Sequence, residues 1–315
     1  MELKPSREAF CKLAAETNLI AVAKEINMDL DTPVSVYYKL VGEKKGFILD
    51  SVDATHQQFG RFSFIGAEPF ARLQVFKDKL MINENGLMKC IVGEPVETLK
   101  TYMQGYRPAV EDASLPLANG GMVGYLNYDI VATFDRVRGM ELGEEELLGQ
   151  FMICRVLVVY DALHNSARLI CLADTKGRDA DEAYDAVVEM IAKVEARLSA
   201  TLAPQAGETA KRREKVDFLK KFGKAPEDFL KAIRKAKEHI FAGDIFQVVP
   251  SRQFREKITK PCFHFYRRLR QVNPSPYMFY FNFGPVKLVG ASPEMLVKVS
   301  TADRKSGSAG MPRPI

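Results

Sequence analysis

Short segments rich in β-branched and aromatic residues follow one another through the first third of the sequence. Gly, Asp, Asn and Lys separate them, and these residue types favour turns. The segments are residues 34–40, 46–52, 61–65, 71–76 and 79–82. A hairpin signal, Asn-Glu-Asn-Gly at residues 83–86, predicts antiparallel pairing of two neighbours. The pattern favours antiparallel sheet over the strand and helix alternation of a doubly wound fold.

The rest of the sequence adds further strands and several helices. The glycine-rich run at 120–128 matches neither the dinucleotide fingerprint nor the P-loop, so we interpret its glycines as sites of a bulge or close backbone approach in a strand. Further strands are expected at 152–160, 167–173, 245–249, 277–283 and 286–291. Helices are expected from the Ser6 cap to about residue 24, at 181–198, from Pro226 to Gly243, and at 263–272. The predicted fold class is α+β, with mostly antiparallel sheets and peripheral helices.

Composition limits the classes of protein that this chain resembles. Its 315 residues are 47% hydrophobic and 27% charged, which is sufficient for a large core. No apolar stretch approaches the length of a membrane span and no secretory signal is visible, so a cytoplasmic location without a membrane partner is expected. Five scattered cysteines predict reduced thiols. The net charge of +5 comes without a nucleic-acid-binding motif, so no nucleic-acid partner is expected.

The sequence divides into four regions. Residues 1–199 are predicted to form a first domain, and residues 200–215 lose all periodicity and read as a linker. Residues 216–299 are predicted to begin a second domain. Residues 300–315 are dominated by Ser, Gly, Lys, Arg and Pro, and are expected to be a disordered tail.

A proline-rich segment leads into one of the predicted strands. Pro274 and Pro276 fix their own backbone angles and favour extended neighbours, so the chain enters the strand along a rigid path. Alternation then places Tyr277 and Phe279 on one face and Met278 on the other. On these residues alone the segment is either an ordinary buried strand or one edge of a ligand site.

Six motifs follow one another along the sequence. They are FILDS at 47–51, GRFSFIG at 60–66, the glycine-tyrosine run at 120–128, GDIFQVVPSR at 243–252, NPSPYMFY at 273–280 and ASPE at 291–294. Their order and wording resemble the chorismate-utilising enzymes, and among them the anthranilate synthase component I proteins. The resemblance spans about residues 8–299. Arg252, at the end of the fourth motif, suits either carboxylate recognition or a structural ion pair, and no catalytic role is assigned to it.

The resemblance implies a tryptophan site built from two of these motifs. In similar proteins a Leu-Glu-Ser motif and the proline-guided strand together bind feedback tryptophan. The implied ligands here are Ser51, Pro276, Tyr277 and Met278. Asp50 is a weaker candidate because it stands where the family has glutamate, and its carboxylate is one methylene shorter.

The resemblance also implies a reaction, a cofactor and a partner. Similar proteins convert chorismate and ammonia to anthranilate and pyruvate with Mg²⁺, and a glutamine amidotransferase subunit supplies the ammonia. Their magnesium-binding glutamates and catalytic His-Glu pair lie further along the chain. No catalytic residue and no metal ligand is therefore expected within these residues, and the chain reads as a fragment. A frameshift, a premature stop and an incomplete gene model remain open as its origin. Two other functions remain open: an aminodeoxychorismate synthase component, and a non-catalytic tryptophan-binding module.

We predict that the 315-residue chain alone forms no anthranilate. The reason is that the implied catalytic groups lie outside it. Anthranilate fluorescence, followed with chorismate, Mg²⁺ and an ammonium salt, measures this directly. Steady turnover by the purified chain would contradict the prediction.

Overall fold

A computed structural model describes residues 2–52, 61–109, 121–202 and 223–297. The chain forms two compact units. The main unit comprises residues 1–202 and 262–315, and the second unit comprises residues 203–261. The sheet, both hydrophobic cores and the candidate site belong to the main unit.

One ten-stranded sheet, counted over the described residues, organises the main unit. Its path runs β1-β8-β7-β3-β2-β9-β10, while β4 pairs with β3 and β5, and β6 pairs with β7. The strands are β1 Leu19–Asn27, β2 Gly46–Asp50, β3 Phe62–Val75, β4 Lys79–Glu84, β5 Leu87–Val92, β6 Val123–Leu126, β7 Gly149–Asp161, β8 Ser166–Asp174, β9 Tyr277–Asn282 and β10 Lys287–Ser292. Every ladder between these strands is antiparallel. The predicted fold class is confirmed.

The described residues also form helices in both units. They are α1 Arg7–Ala14, α2 Pro33–Leu40, α3 Pro95–Gln104, a 3₁₀ turn at Tyr128–Thr133, α4 Ala180–Ser199, α5 Glu227–Ala242 and α6 Cys262–Val272. The predicted caps are present at two of them: Ser6 Oγ accepts from the Ala9 N–H, and Gly243 ends α5 in the left-handed region with φ 80°. Among the described helices, none combines the length and the hydrophobicity needed to span a membrane.

The central strands are buried on both faces. In β7, Val156 and Val158 belong to the core beneath α1, α2, α4 and α6, while Leu157 and Val159 belong to the core on the other face. The sequences of these strands are therefore continuous apolar runs rather than alternations of apolar and polar residues. A register slip of one residue would exchange the two sets of side chains between the cores.

The prediction of one opening helix from Ser6 to residue 24 is wrong in its second half. Helix α1 ends at Ala14, and Leu19–Asn27 forms β1. The Asn18 side chain accepts from the Arg107 N–H at 2.7 Å and donates to the Gly105 carbonyl at 2.9 Å, which anchors the turn between the two elements. Beyond it, nine residue pairs with β8 bury Ile20 and Val22, and this pairing overrides the helical spacing.

The predicted strand at 34–40 is also wrong, because residues Pro33–Leu40 form α2. Thr32 and Ser35 make a reciprocal capping box, and Pro33 occupies the first helical turn. Both signals are visible in the sequence. The β-branched and aromatic composition of the segment obscured them.

The described residues of the second unit, 223–261, form α5 and an irregular segment. Phe229, Ile233 and Ala236 are half-buried, and no described residue of this unit is fully buried. The strand predicted at 245–249 is wrong, since residues 244–260 contain no helix or strand. A strand requires a partner for its backbone groups, and no described strand pairs with this segment.

The compact units divide the chain differently from the predicted domains. Residues 262–297, which were expected to belong with 216–261 in a second domain, cluster with residues 1–202. Helix α6 and strands β9 and β10 return to the main sheet, because β9 pairs with β2. Most of the predicted linker and the whole predicted tail lie outside the described residues.

The close approach of β2 and β3 makes Gly46 a sensitive position. A Cβ at Gly46 would lie 2.4 Å from the Gly66 carbonyl oxygen, a backbone atom that cannot rotate away. We predict that Gly46→Ala lowers the free energy of unfolding by about 2–3 kcal/mol through overpacking, measured by urea denaturation.

Gly143→Ala is the matched control for this substitution. The nearest heavy atom lies 3.7 Å from the added Cβ there, so the urea midpoint should stay near that of the parent chain. Equal midpoints for the two variants would contradict the described packing of β2 against β3.

Candidate functional site

Strands β2 and β9 place two distant motifs side by side. Asp50 lies directly opposite Met278 in the ladder, and just beyond the strand end the Val52 N–H donates to the Ser275 carbonyl at 3.1 Å. Ser51 therefore leaves β2 next to the point where the proline-rich segment enters β9. The FILDS and NPSPYMFY motifs are neighbours in the fold.

The predicted alternation in β9 is confirmed by burial. Met278 and Tyr280 belong to the core beneath α2 and α6, and Phe281 belongs to the core on the other face. Phe279 packs against that second core as well. Both faces of β9 are therefore core.

Asp50 is the centre of a buried polar network. Its side chain is 1% exposed. Arg270 Nε donates to Asp50 Oδ2 at 2.7 Å, the Tyr266 hydroxyl donates to the same oxygen at 3.3 Å, and Ser63 Oγ donates to Oδ1 at 2.8 Å. Burial and the charge of Asp50 raise the pKa of Tyr266, so this hydroxyl stays protonated and acts as a donor. Three donors compensate the buried carboxylate.

Helix α6 supplies two of these donors. Phe263, Tyr266 and Arg270 lie three and four residues apart, so they share the face that packs on the sheet. The Phe263 ring stacks on Tyr37 with centroids 4.1 Å apart, which fixes α6 against α2. Sequence reasoning did not identify Tyr266 and Arg270 as site residues. Their spacing indicated the inward face, although not the carboxylate that they contact.

A cavity of about 380 Å³ opens beside Asp50. We call it the Ser51 cavity. It is lined by Thr32, Pro33, Val34, Asp50, Ser51, Ser63, Tyr160, Ala162, Asn165, Arg267, Arg270 and Gln271. Ser51 is one of the lining residues, its Oγ is buried, and within the described part of the chain this hydroxyl has no hydrogen-bond partner. An unpartnered buried hydroxyl costs free energy unless a ligand or water satisfies it.

The five implied tryptophan ligands occupy different positions around this cavity. Asp50 and Ser51 line it. Met278 is 1% exposed and lies opposite Asp50, whereas Pro276 and Tyr277 are half-buried, and none of these three lines the cavity. Because its carboxylate is already bound by three donors, we interpret Asp50 as fixing α6 to the sheet. Its contact with tryptophan stays a prediction.

The described residues offer no ligand set for a metal ion. Within residues 2–52, 61–109, 121–202 and 223–297, no three His, Cys, Asp or Glu side chains converge. These residues do not fit a Mg²⁺ site, which requires several oxygen ligands at one point.

A sequence comparison identifies the family. The family described as chorismate binding enzyme matches residues 46–306, more than half of the chain. The chain belongs to the chorismate binding enzymes. The match includes β2, β9 and α6, the elements that form the Asp50 network.

Two curated members of this family illustrate the similarity. Anthranilate synthase component 1 of Acetivibrio thermocellus is 33% identical over 295 residues, 91% of this chain and 58% of the relative. The protein of the same name from Pseudomonas aeruginosa is 34% identical over 306 residues, 93% of this chain and 60% of the relative. The chain thus spans about three fifths of the length of these relatives.

A solved structure has the same fold. Anthranilate synthase component I from Streptococcus pneumoniae superposes with a TM-score of 0.56 at 24% identity, covering 88% of this chain and 59% of that chain. At this identity the comparison shows the fold alone. The antiparallel sheet of this chain therefore has the fold of that structure.

Replacing Asp50 tests the network. We predict that Asp50→Asn lowers the free energy of unfolding by about 2–4 kcal/mol, because it leaves the Arg270 charge without a carboxylate in a largely buried setting. Urea denaturation measures the loss. Asp29→Asn, at an exposed aspartate outside the network, is the control and should change stability by less than about 0.5 kcal/mol.

A double-mutant cycle measures the interaction free energy between Asp50 and Arg270 separately from their other contacts. Arg270→Gln alone should destabilise the chain, and in the Asp50→Asn background it should cost much less. Additive losses would show that Asp50 and Arg270 do not interact.

Proposed function

We propose that this chain is the tryptophan-sensing part of an anthranilate synthase component I. The arrangement of β2 and β9 supports the proposal most strongly: Asp50 lies opposite Met278 in the ladder, and the next residue, Ser51, lines a cavity and carries a buried hydroxyl without a described partner. The names of the relatives with 32–34% identity support the same reading.

The chemistry of the Ser51 cavity suits a zwitterionic amino acid. Arg267 and Arg270 supply positive charge for a carboxylate, and Ser51 Oγ is able to donate or accept one hydrogen bond. Arg270 already binds Asp50, which leaves Arg267 as the freer cation. Its contacts with Tyr38 are a long hydrogen bond of 3.5 Å to the hydroxyl and a ring contact at 5.7 Å. The indole is proposed to lie toward β9. Met278 is 1% exposed and lies outside the cavity lining, so its polarizable thioether would contact the ring only after a local movement of the wall.

For the whole protein we propose the reaction that the names of the relatives indicate. Chorismate and ammonia would give anthranilate and pyruvate, with ammonia from a glutamine amidotransferase subunit. Mg²⁺ would neutralise the substrate carboxylate when bound. The described residues of this chain would contribute regulation: tryptophan bound at Ser51 would stabilise the β2 and β9 pairing, and inhibition would follow from that stabilised state.

We predict that the chain binds L-tryptophan in calorimetry. Ser51→Ala should weaken binding at least about tenfold, since one hydrogen bond to a charged ligand group contributes about 1.5–3 kcal/mol. The same substitution should leave the unfolding temperature unchanged or slightly raised, because it removes a buried hydroxyl that has no partner among the described residues. Loss of affinity without loss of stability is the signature of a ligand contact.

Two further variants sharpen this experiment. Met278→Ala should weaken tryptophan binding, but it should also destabilise the core by about 2–5 kcal/mol. Ser199→Ala is the matched serine control, because Ser199 is exposed and its Oγ donates to the Glu195 carbonyl within the last turns of α4, away from the Ser51 cavity. Absence of heat at millimolar tryptophan, or equal affinity in Ser51→Ala and the parent chain, would refute the proposed site.

A further inference from the structure

A second cavity, of about 400 Å³, lies in the main unit and shares no lining residue with the Ser51 cavity. Strand β3 contributes Glu68, Phe70 and Arg72 to its wall, and β7 contributes Arg155. Residues of β4 and of the turn that follows it complete the wall. We call it the Arg72 cavity. Its volume suits a small metabolite.

Hydrogen-bond donors from three elements meet there. Arg72 and Asn83 lie directly opposite each other in the ladder between β3 and β4, so their side chains share one face. The Asn85 N–H donates to the Phe70 carbonyl at 2.7 Å, which fixes the turn against β3. Arg155 Nη2 in turn donates to Asn85 Oδ1 at 2.6 Å.

The two arginines of this cavity form no ion pair with a described carboxylate, and the charges of Asp174 and Glu68 act on Arg155 only from a distance. The one lining carboxylate of the cavity, Glu68, is bound by Arg197 Nη1 at 2.5 Å. Over the described ranges, no carboxylate lies within ion-pair distance of the guanidinium of Arg72 or Arg155. Arg155 contacts only an amide oxygen and the Phe70 ring, 4.9 Å from its centroid, and burial lowers the pKa of Arg155. Partly buried cations are normally paired with an anion.

The backbone beside the cavity is irregular. The register between β3 and β7 shifts between Pro69 and Ala71, and Glu68 adopts a positive φ of 55°. A bulge of this kind re-aims side chains, and a non-glycine residue in the left-handed region costs about 1–2 kcal/mol. Such distortions cluster at ligand sites.

We propose that the Arg72 cavity binds a small oxyanion, the carboxylate or phosphate group of a small molecule. Two guanidinium forks match the paired oxygens of either group, and the Asn83 amide provides a neutral donor on the same face as Arg72. The inference rests on β3, β4 and β7 alone and is independent of tryptophan binding at Ser51.

Anion-dependent thermal stability tests the proposal. The unfolding temperature is measured in inorganic phosphate and in succinate, each titrated against chloride at equal ionic strength. The parent chain should show a saturable rise with at least one of the two anions, and comparing the two midpoints distinguishes a phosphate site from a carboxylate site. Arg72→Gln should weaken the apparent affinity at least tenfold.

Two other variants complete the test. Arg107→Gln removes an exposed arginine outside the cavity and should keep the parent affinity. Arg155→Lys retains the charge but loses the fork, so it should weaken binding; it also replaces Arg72→Gln if that variant fails to fold. The proposal is overturned if phosphate and succinate act no differently from chloride, or if Arg107→Gln weakens binding as much as the cavity variants.

Discussion

The ladder between β2 and β9 is the interaction on which the rest of the structure depends. It connects the beginning of the chain to residues 277–282, and it positions α6 over the same core. A slip of one residue would turn the Asp50 side chain toward the phenylalanine-rich core on the other face of the sheet. The Asp50 contacts with Ser63, Tyr266 and Arg270 oppose that slip, because a buried carboxylate without donors is far more costly than the correct register.

The same network explains why a shorter acidic residue suits this site. Asp50 reaches donors from both β3 and α6, and all three contacts lie within 3.3 Å. Its carboxylate is hydrogen-bonded by groups of the protein itself. Recognition of a ligand would then fall to Ser51 and to the arginines on α6, while Asp50 determines where these groups stand. In this proposal Asp50 is a positioning residue, whereas Ser51 and the arginines contact the ligand.

Sequence reasoning succeeded where the signal was local. The Ser6 cap, the Gly243 stop, the hairpin at 83–86 and the alternation in β9 each follow from a few adjacent residues, and each is present. It failed where distant pairing decided the outcome. Residues 19–27 become a strand only because β8 lies beside them, and residues 245–249 find no described partner.

The candidate site shows the same limit. The motifs around Ser51 and Met278 were recognisable in the sequence, and their adjacency in the sheet agrees with the implied geometry. Arg270 and Tyr266 were recognised only as residues of a helix. Nothing near them in sequence indicates the carboxylate on β2 that they bind. The second cluster, Arg72 with Arg155, likewise cannot be recognised from the sequence, because the register of β3, β4 and β7 determines which residues lie together.

A crystal structure of the chain grown with L-tryptophan tests the central claim most directly. The account predicts density for the amino acid in the Ser51 cavity, with its carboxylate or ammonium group within hydrogen-bond distance of Ser51 Oγ and its indole against Met278. Tryptophan bound elsewhere, with Ser51 Oγ unliganded and β2 still paired with β9, would contradict it.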